Sequence, residues 1–389
     1  MKQKLLFLLL SFFIYKSNLA QQLQLSEFAE ISVLTIGPGD ILNDAFGHSA
    51  FRVKDPMFRL DIVYNYGVYD FQTPNFYLKF AQGKLNYLIG LDPFDKFYAN
   101  YKNQDRTINQ QKLNLTKEQR QQLFDILRVN HLPENRRYLY DFFYDNCATK
   151  IRDVVNNATN NLVEFNAPKD LEHKTFRQLI YDHVDKNSWG SLGIDIALGS
   201  VIDIEAKPNE YMFLPKYIHT FFANATLASG EALVSSTKVL YEENVRPTKQ
   251  SFLSSPMFIL NIIAWIIIIL TIRDYKLKKR SKWLDALIFL ITGAIGISVL
   301  LLWFATDHSA TANNYNLLWA FPFNLILVWV LLKKNIKKWV LGFIKFLVIM
   351  LCLLSLHWLL GVQVYALALI PILLALCIRY IYLIYYLKA

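Results

Sequence analysis

Five apolar runs close the chain, near residues 252–272, 283–305, 317–332, 339–360 and 363–384. A helix needs roughly 20 residues to cross a hydrocarbon core about 30 Å thick. The third run is short for that task, but each of the five can be read as a spanning helix. Lipid offers backbone amides and carbonyls no partner, so such segments must bond internally, as helices. The carboxyl-terminal part is therefore expected to be an all-α transmembrane bundle of about five helices, residues 251–389.

Charge orients that bundle. Residues 251–389 hold 13 Lys and Arg against 3 Asp and Glu, and the residues before them hold 28 of each sign. The whole formal charge of +10 thus sits between apolar runs, which excludes a nucleic-acid footprint as its origin. One connection carries Arg273, Lys276, Lys278, Lys279, Arg280 and Lys282, and another carries Lys333, Lys334, Lys337 and Lys338. The alternate connections, 306–316 and 361–362, carry no Lys or Arg. The positive-inside rule puts the basic loops and the carboxyl terminus in the cytoplasm, and residues before 251 outside. The other end agrees. Lys2 and Lys4 precede an apolar run at 5–15, and Ala20 is a small residue suited to cleavage, so residues 1–20 read as an export signal. An uncleaved anchor is the other reading. Residues 21–250 are then an extracytoplasmic domain. Within the fourth run, His357 and Lys345 are polar groups of the kind that face a bundle interior or snorkel to the interface.

In the exported part, residues 27–36 read as a strand running into the turn Gly37-Pro38-Gly39. Residues 48–53 and 61–67 form a second and third strand, paired as a hairpin. Setting Val53 opposite Leu60 places Asn65 opposite His48. Thr116, with Gln119 three residues on, caps an amphipathic helix over 115–127. Residues 189–215 read as loops, and 225–250 as an extended link to the membrane.

Cys147 is the only Cys of the exported part and begins a helical pattern after Asp145-Asn146. A Cys at a helix start feels the positive end of the dipole, which favours thiolate. Paired with His48, it makes the two halves of a thiol nucleophile site, and a third polar group must orient the imidazole. Asn65 is the first choice for that group and Asp70 the second; Asp145 and Asn146 adjoin the nucleophile and join the candidate set. The competing reading is a buried structural Cys and a satisfied core His. The outward loop carries Asp307 and His308 on the same side as this domain, as a possible addition to the site. No Gly-rich phosphate loop, CxxC pair or HExxH motif occurs, so neither cofactor nor metal is expected.

Several segments, in this order, resemble the Lnb family: Gly37-Pro38-Gly39-Asp40, Phe46-Gly47-His48-Ser49-Ala50-Phe51-Arg52, Asn65-Tyr66-Gly67 and Tyr144-Asp145-Asn146-Cys147-Ala148-Thr149. Phe176-Arg177, Gly193-Ile194-Asp195, Phe213-Leu214-Pro215, Thr306-Asp307-His308 and Asn316-Leu317-Leu318-Trp319 extend the likeness over nearly the whole mature chain. The resemblance implies a lipoprotein intramolecular transacylase. Such an enzyme moves an acyl chain from the diacylglyceryl group to the amine of the lipoprotein's N-terminal Cys. It also implies an α+β, circularly permuted papain-like domain related to NlpC/P60 enzymes. The partners expected are a bacterial lipoprotein, its diacylglyceryl lipid and the inner membrane, and no nucleic acid. A Cys-His hydrolase of cell-wall peptide or lipid ester, and a non-enzymatic envelope assembly module, are the alternatives.

The topology is directly testable. A reporter that fluoresces only in the cytoplasm should be bright when fused after Ala389 and dark when fused after Gln250. The opposite pattern would overturn the orientation.

Overall fold

The computed structural model describes residues 23–244, 251–333 and 335–388. The expected export signal at 1–20 and the segment 245–250 lie outside the described residues. The exported part is α+β. Its elements run β1 (Glu30–Ile36), β2 (His48–Asp55), β3 (Leu60–Val68), α1 (Phe76–Ala81), β4 (Asn86–Pro93), α2 (Phe94–Asn103), β5 (Ile108–Leu113) and α3 (Lys117–His131). Then follow β6 (Arg137–Leu139), α4 (Cys147–Ala158), β7 (Val163–Glu164), α5 (Phe176–Tyr181), α6 (Trp189–Ala197), α7 (Pro215–Asn224), β8 (Thr226–Leu227) and β9 (Val234–Tyr241).

Seven strands form one antiparallel sheet in the order β6-β4-β3-β2-β1-β5-β9. β1 lies inside the sheet with helices on both faces, which is why its sequence alternates only loosely. Ile31, Val33, Phe51 and Val53 pack toward α3 and α4. Leu34, Ile36, Ala50 and Val63 pack on the opposite face, against Phe97 of α2. Thr116 does cap α3, its hydroxyl accepting from the Gln119 amide while the Gln119 side chain accepts in return. Residues 189–215 are not loops throughout. Ser188 caps α6, accepting from the Ser191 amide, and 3-10 turns occupy Ser200–Ile202 and Pro208–Phe213.

The bundle contains α8 (Pro256–Lys276), α9 (Lys282–Phe304), α10 (Asn324–Leu332), α11 (Trp339–Leu359) and α12 (Ile370–Lys388). Four of these runs are long and apolar enough to span a membrane. The third apolar run is not one continuous helix, although it still leads from the outward loop to the end of the bundle that carries the first basic connection. Its only α-helix, α10, has nine residues, roughly 14 Å of rise. The remainder, through Pro322, is irregular backbone pressed against α9. A Cβ at Gly293 would come 2.8 Å from the Leu325 amide nitrogen, and one at Gly296 would come 2.1 Å from the Ala320 carbonyl oxygen. Irregular backbone at this depth survives where protein shelters it. The last carbonyls of α10, which have no partner within the helix, take cations from the first basic connection, Arg280 on Leu331 at 2.7 Å and Lys282 on Leu332 at 3.3 Å. At the same end, buried Arg379 of α12 bonds Asp285 at 2.8 Å and Asp274 at 2.9 Å, tying three spans together. Of the polar groups expected in α11, His357 packs edge-on against Tyr315 at 4.6 Å, whereas Lys345 faces outward.

The outward loop joins the two parts. Asn314, Asn316 and Gln363 are fully buried. Asn314 donates to the carbonyls of Ile196 and Ala197 at 2.8 and 3.0 Å, and Asn316 donates to that of Asp195 at 2.8 Å. Beneath them Arg177, 1% exposed, bonds Asp195 at 2.9 Å and Asp203 at 2.7 Å.

The broken third run sets up a comparison of two glycines. Gly296→Ala must displace the Ala320 carbonyl, an overpacking cost of about 1–3 kcal/mol. Gly342 of α11 has no atom within 4 Å of an added Cβ. Thermal unfolding in detergent should show Gly296→Ala melting several degrees lower, and Gly342→Ala unchanged or slightly higher. Equal melting temperatures would refute the close backbone contact.

Candidate functional site

Cys147 opens α4 because the residue before it is a strong cap. The Asn146 side-chain oxygen accepts from the amides of Ala148 and Thr149 at 2.7 and 2.9 Å. Its NH2 group donates to the carbonyls of Phe142 and Phe213 at 2.7 and 2.8 Å. Thr149 completes the box by accepting from the Asn146 amide at 2.8 Å. A cap of this kind is worth about 1 kcal/mol. Both side-chain groups of Asn146 are occupied by these bonds, which hold the start of the helix and with it Cys147. Asp145 is likewise held by its neighbours. It pairs with Lys150 at 2.6 Å, and its backbone bonds Asp141 in both directions at 3.1 Å to close the turn ahead of the cap.

The half-buried thiol meets His48 at the start of β2. β2 and β3 pair Phe51 with Tyr64 and Val53 with Ile62, two residues from the expected register. A shift of two keeps every side chain on its face, so Asn65 and His48 remain on one side as diagonal neighbours. His48 Nε2 lies 2.5 Å from Asn65 Oδ1. With the amide oxygen accepting, Nε2 carries the proton and Nδ1 is the nitrogen left for the thiol. Gly67 gives Cys147 its seat: its φ is +86°, and a Cβ there would lie 3.5 Å from the Cys147 Cβ. Asp70, the second choice for the orienting group, is instead held by Arg137 at 2.6 Å.

The charges of the pair support one another. Burial alone would push the Cys147 thiol up; the His48 charge and hydrogen bond, with the amides of Ser49 and of Cys147 itself, outweigh it and hold the thiol below its ordinary value. Burial alone would lower His48; the Cys147 charge and hydrogen bond, with the Asn65 bond, raise it, against an opposing push from Arg106. Both directions favour a thiolate–imidazolium pair.

Four further residues surround this pair, and the motif reading passed them over. Tyr101 of α2 stacks with His48 at 6.1 Å, and the Arg106 guanidinium carbon lies 5.0 Å from the Tyr101 ring centre. Tyr138 and Tyr140 flank the thiol, and burial, with the Cys147 charge adding, pushes both phenols well up. The alternating Tyr138-Leu139-Tyr140 just ahead of the Asp-Asn-Cys stretch was the available signal. Nothing local marks Tyr101 or Arg106, which arrive through the sheet topology. Asp307 and His308 do not join the thiol. The Asp307 amide donates to the Gln82 carbonyl at 2.8 Å, and His308 Nε2 donates to that of Phe80 at 3.1 Å, so both dock α1. The loop reaches the nucleophile's turn through Ser309 instead, whose hydroxyl donates to Asp141 Oδ2 at 2.6 Å.

Two family models match the chain. Residues 15–181 match the Lnb N-terminal periplasmic domain, and residues 247–389 match the Lnb transmembrane domain. No curated protein and no solved structure matches it.

The pair predicts a pH profile. Because the thiol is lowered and the imidazole raised, alkylation of Cys147 should stay fast below the pH at which an ordinary thiol loses its charge. In His48→Ala the midpoint of the rate against pH should move up, toward that of a free thiol. An unmoved midpoint would show that His48 does not stabilise the thiolate.

Proposed function

The chain belongs to the Lnb family, and on that footing we propose that it is a membrane-bound thiol acyltransferase acting on bacterial lipoproteins. What most supports this is the set Cys147, His48 and Asn65 gathered at a helix N-terminus. The order of its members, His48 on β2, Asn65 on β3 and Cys147 on the later α4, is that expected of a circularly permuted papain-like enzyme. The reading carries with it an inner-membrane location, a periplasmic sheet domain and a cytoplasmic carboxyl terminus.

The chemistry runs in two halves. The Cys147 thiolate attacks the carbonyl carbon of a glyceryl ester. The amide of Cys147, at the N-terminus of α4, and that of Ser49 both face the sulfur and offer hydrogen bonds to the developing oxyanion. The carbon–oxygen bond breaks, and the glyceryl oxygen takes a proton from His48. This leaves an acyl-thioester and a lyso lipid. The lipoprotein's terminal amine then attacks the thioester, and His48 accepts the proton the nitrogen sheds. The carbon–sulfur bond breaks, an amide forms and the thiolate is restored. Asn65 holds the ring so that one nitrogen faces the sulfur throughout. A hydrolase would differ only in admitting water as the second nucleophile.

Mass spectrometry of lipoprotein N-termini tests this in cells that depend on the chain. The wild type should yield N-acylated lyso-lipoprotein. Cys147→Ala should leave the amine free and the diacylglyceryl group intact. His48→Ala should cost at least about a hundredfold in rate, and Asn65→Ala less. Release of free fatty acid with an unmodified amine would replace the transferase by a hydrolase, and full N-acylation in Cys147→Ala would remove the thiol mechanism.

A further inference from the structure

α1 has no buried residue, an unusual condition for a helix so apolar. Phe71 is 70% exposed, Tyr77 81%, Leu78 57% and Phe80 48%. The only charge between Phe71 and Ala81 is Lys79. Contiguous exposed apolar surface of this kind marks an interaction site. Its place in the fold says what covers it. α9 ends at Phe304, and three residues later the Asp307 amide bonds the carbonyl of Gln82, the residue that ends α1. Three residues reach at most roughly 11 Å, and the 2.8 Å bond adds to that, so α1 ends within about 15 Å of the outer end of an apolar span. Surface helices sit with their apolar face about 5–10 Å into the headgroup–acyl boundary. Trp303 and Phe304, stacked at 4.7 Å, mark the same level at the end of α9.

From this helix a row of rings leads inward. Phe76 lies 6.0 Å from Tyr69, Tyr69 lies 4.8 Å from Tyr87, and Tyr87 stacks on Tyr140 at 4.1 Å. Tyr140 comes within 3.8 Å of the point above Gly67 that Cys147 also borders at 3.5 Å. The row therefore runs unbroken from the exposed helix to the thiol.

We propose that α1 lies in the outer-face boundary of the bilayer, and that Phe76, Tyr69, Tyr87 and Tyr140 form the track along which an acyl chain passes from the membrane to Cys147. Asp307 and His308 hold α1 at that height by bonding the carbonyls at its end. The location of α1 stands independently of the acyltransferase reading, whereas the track rests on it. The Tyr69 hydroxyl is already taken by Asn43 at 2.9 Å, so the row offers mainly flat apolar ring faces, which suits a sliding hydrocarbon chain better than a peptide or sugar.

Two measurements test this on the full chain in vesicles. First, an environment-sensitive fluorophore is attached at Leu78→Cys in a background of Cys147→Ala, Cys352→Ser and Cys377→Ser. Its emission should shift to the blue and be quenched most by lipids carrying a nitroxide near the headgroup. The same label at Met57→Cys, on the exposed β2–β3 turn, should stay unquenched. Identical behaviour at the two positions overturns the membrane placement. Second, the paired variant Tyr77→Glu, Leu78→Glu changes only exposed side chains. Acylation of Cys147 by bilayer diacylglyceryl lipid should fall at least tenfold, while acylation by a water-soluble short-chain thioester keeps the wild-type rate. Undiminished acylation from lipid overturns the track. So does an equal loss with both donors, since the defect then lies at the thiol. A wild-type thiol inert to both donors would instead sink the acyltransferase reading and leave the fluorescence result standing.

Discussion

The buried polar seam between sheet domain and bundle is the constraint on which the remaining geometry hangs. Arg177 is held by Asp195 and Asp203, and directly beside it the amides of Asn314 and Asn316 cover the carbonyls of residues 195–197. Val364, from the last outward connection, bonds Asp203 at 3.3 Å. Removing one partner from such a buried ion pair costs about 3–5 kcal/mol, because the other charge stays behind in low dielectric. The seam therefore permits little rocking of one part on the other. Through it the spanning helices fix the height of the candidate site residues above the bundle.

That fixed height reaches the site by two routes along one loop. Asp307 and His308 bond the end of α1, while Ser309 bonds Asp141 in the turn that precedes Asn146. One short segment thus sets both the membrane-level helix and the turn from which the thiol helix starts. Asn146 then converts turn into helix, and the helix N-terminus, the Ser49 amide and His48 together hold charge on the sulfur. A bare membrane anchor would keep the thiol, the imidazole and the cap, but would lose the contact that orients them toward the bilayer.

The register of β2 and β3 shows why part of the site could be read without the structure. The pairing is offset by two residues from the expected one, yet His48 and Asn65 still meet, since strand parity matters more than direct opposition. Asp70 lies only five residues beyond Asn65, but the β-bulge between Asn65 and Val68 ends the regular pairing before it, and Arg137 claims it. His308 lies on the correct side of the membrane, where loop polarity put it. Polarity alone says nothing about which carbonyl a loop will bond. The third apolar run is broken rather than one helix for a similar reason: hydropathy reports that a segment is shielded from water, and cannot report whether lipid or Gly296 of a neighbouring helix does the shielding.

By itself, then, the sequence determined what local physics decides. Apolar length and basic loops called for a membrane bundle. Thr116 and Gln119 called for a capped helix, and a lone Cys after Asp-Asn called for a thiol at a helix start. Each of these rests on interactions within a few residues or with the solvent. Only the tertiary structure decided which distant groups share that thiol's environment: Tyr101 and Arg106 from the far side of the sheet, Tyr87 through its stack on Tyr140, and the outward loop through Asp141 and α1. Those choices depend on strand order and on a buried seam in which the bonds between sheet domain and bundle join residues more than a hundred apart, and no period or spacing in the chain encodes them.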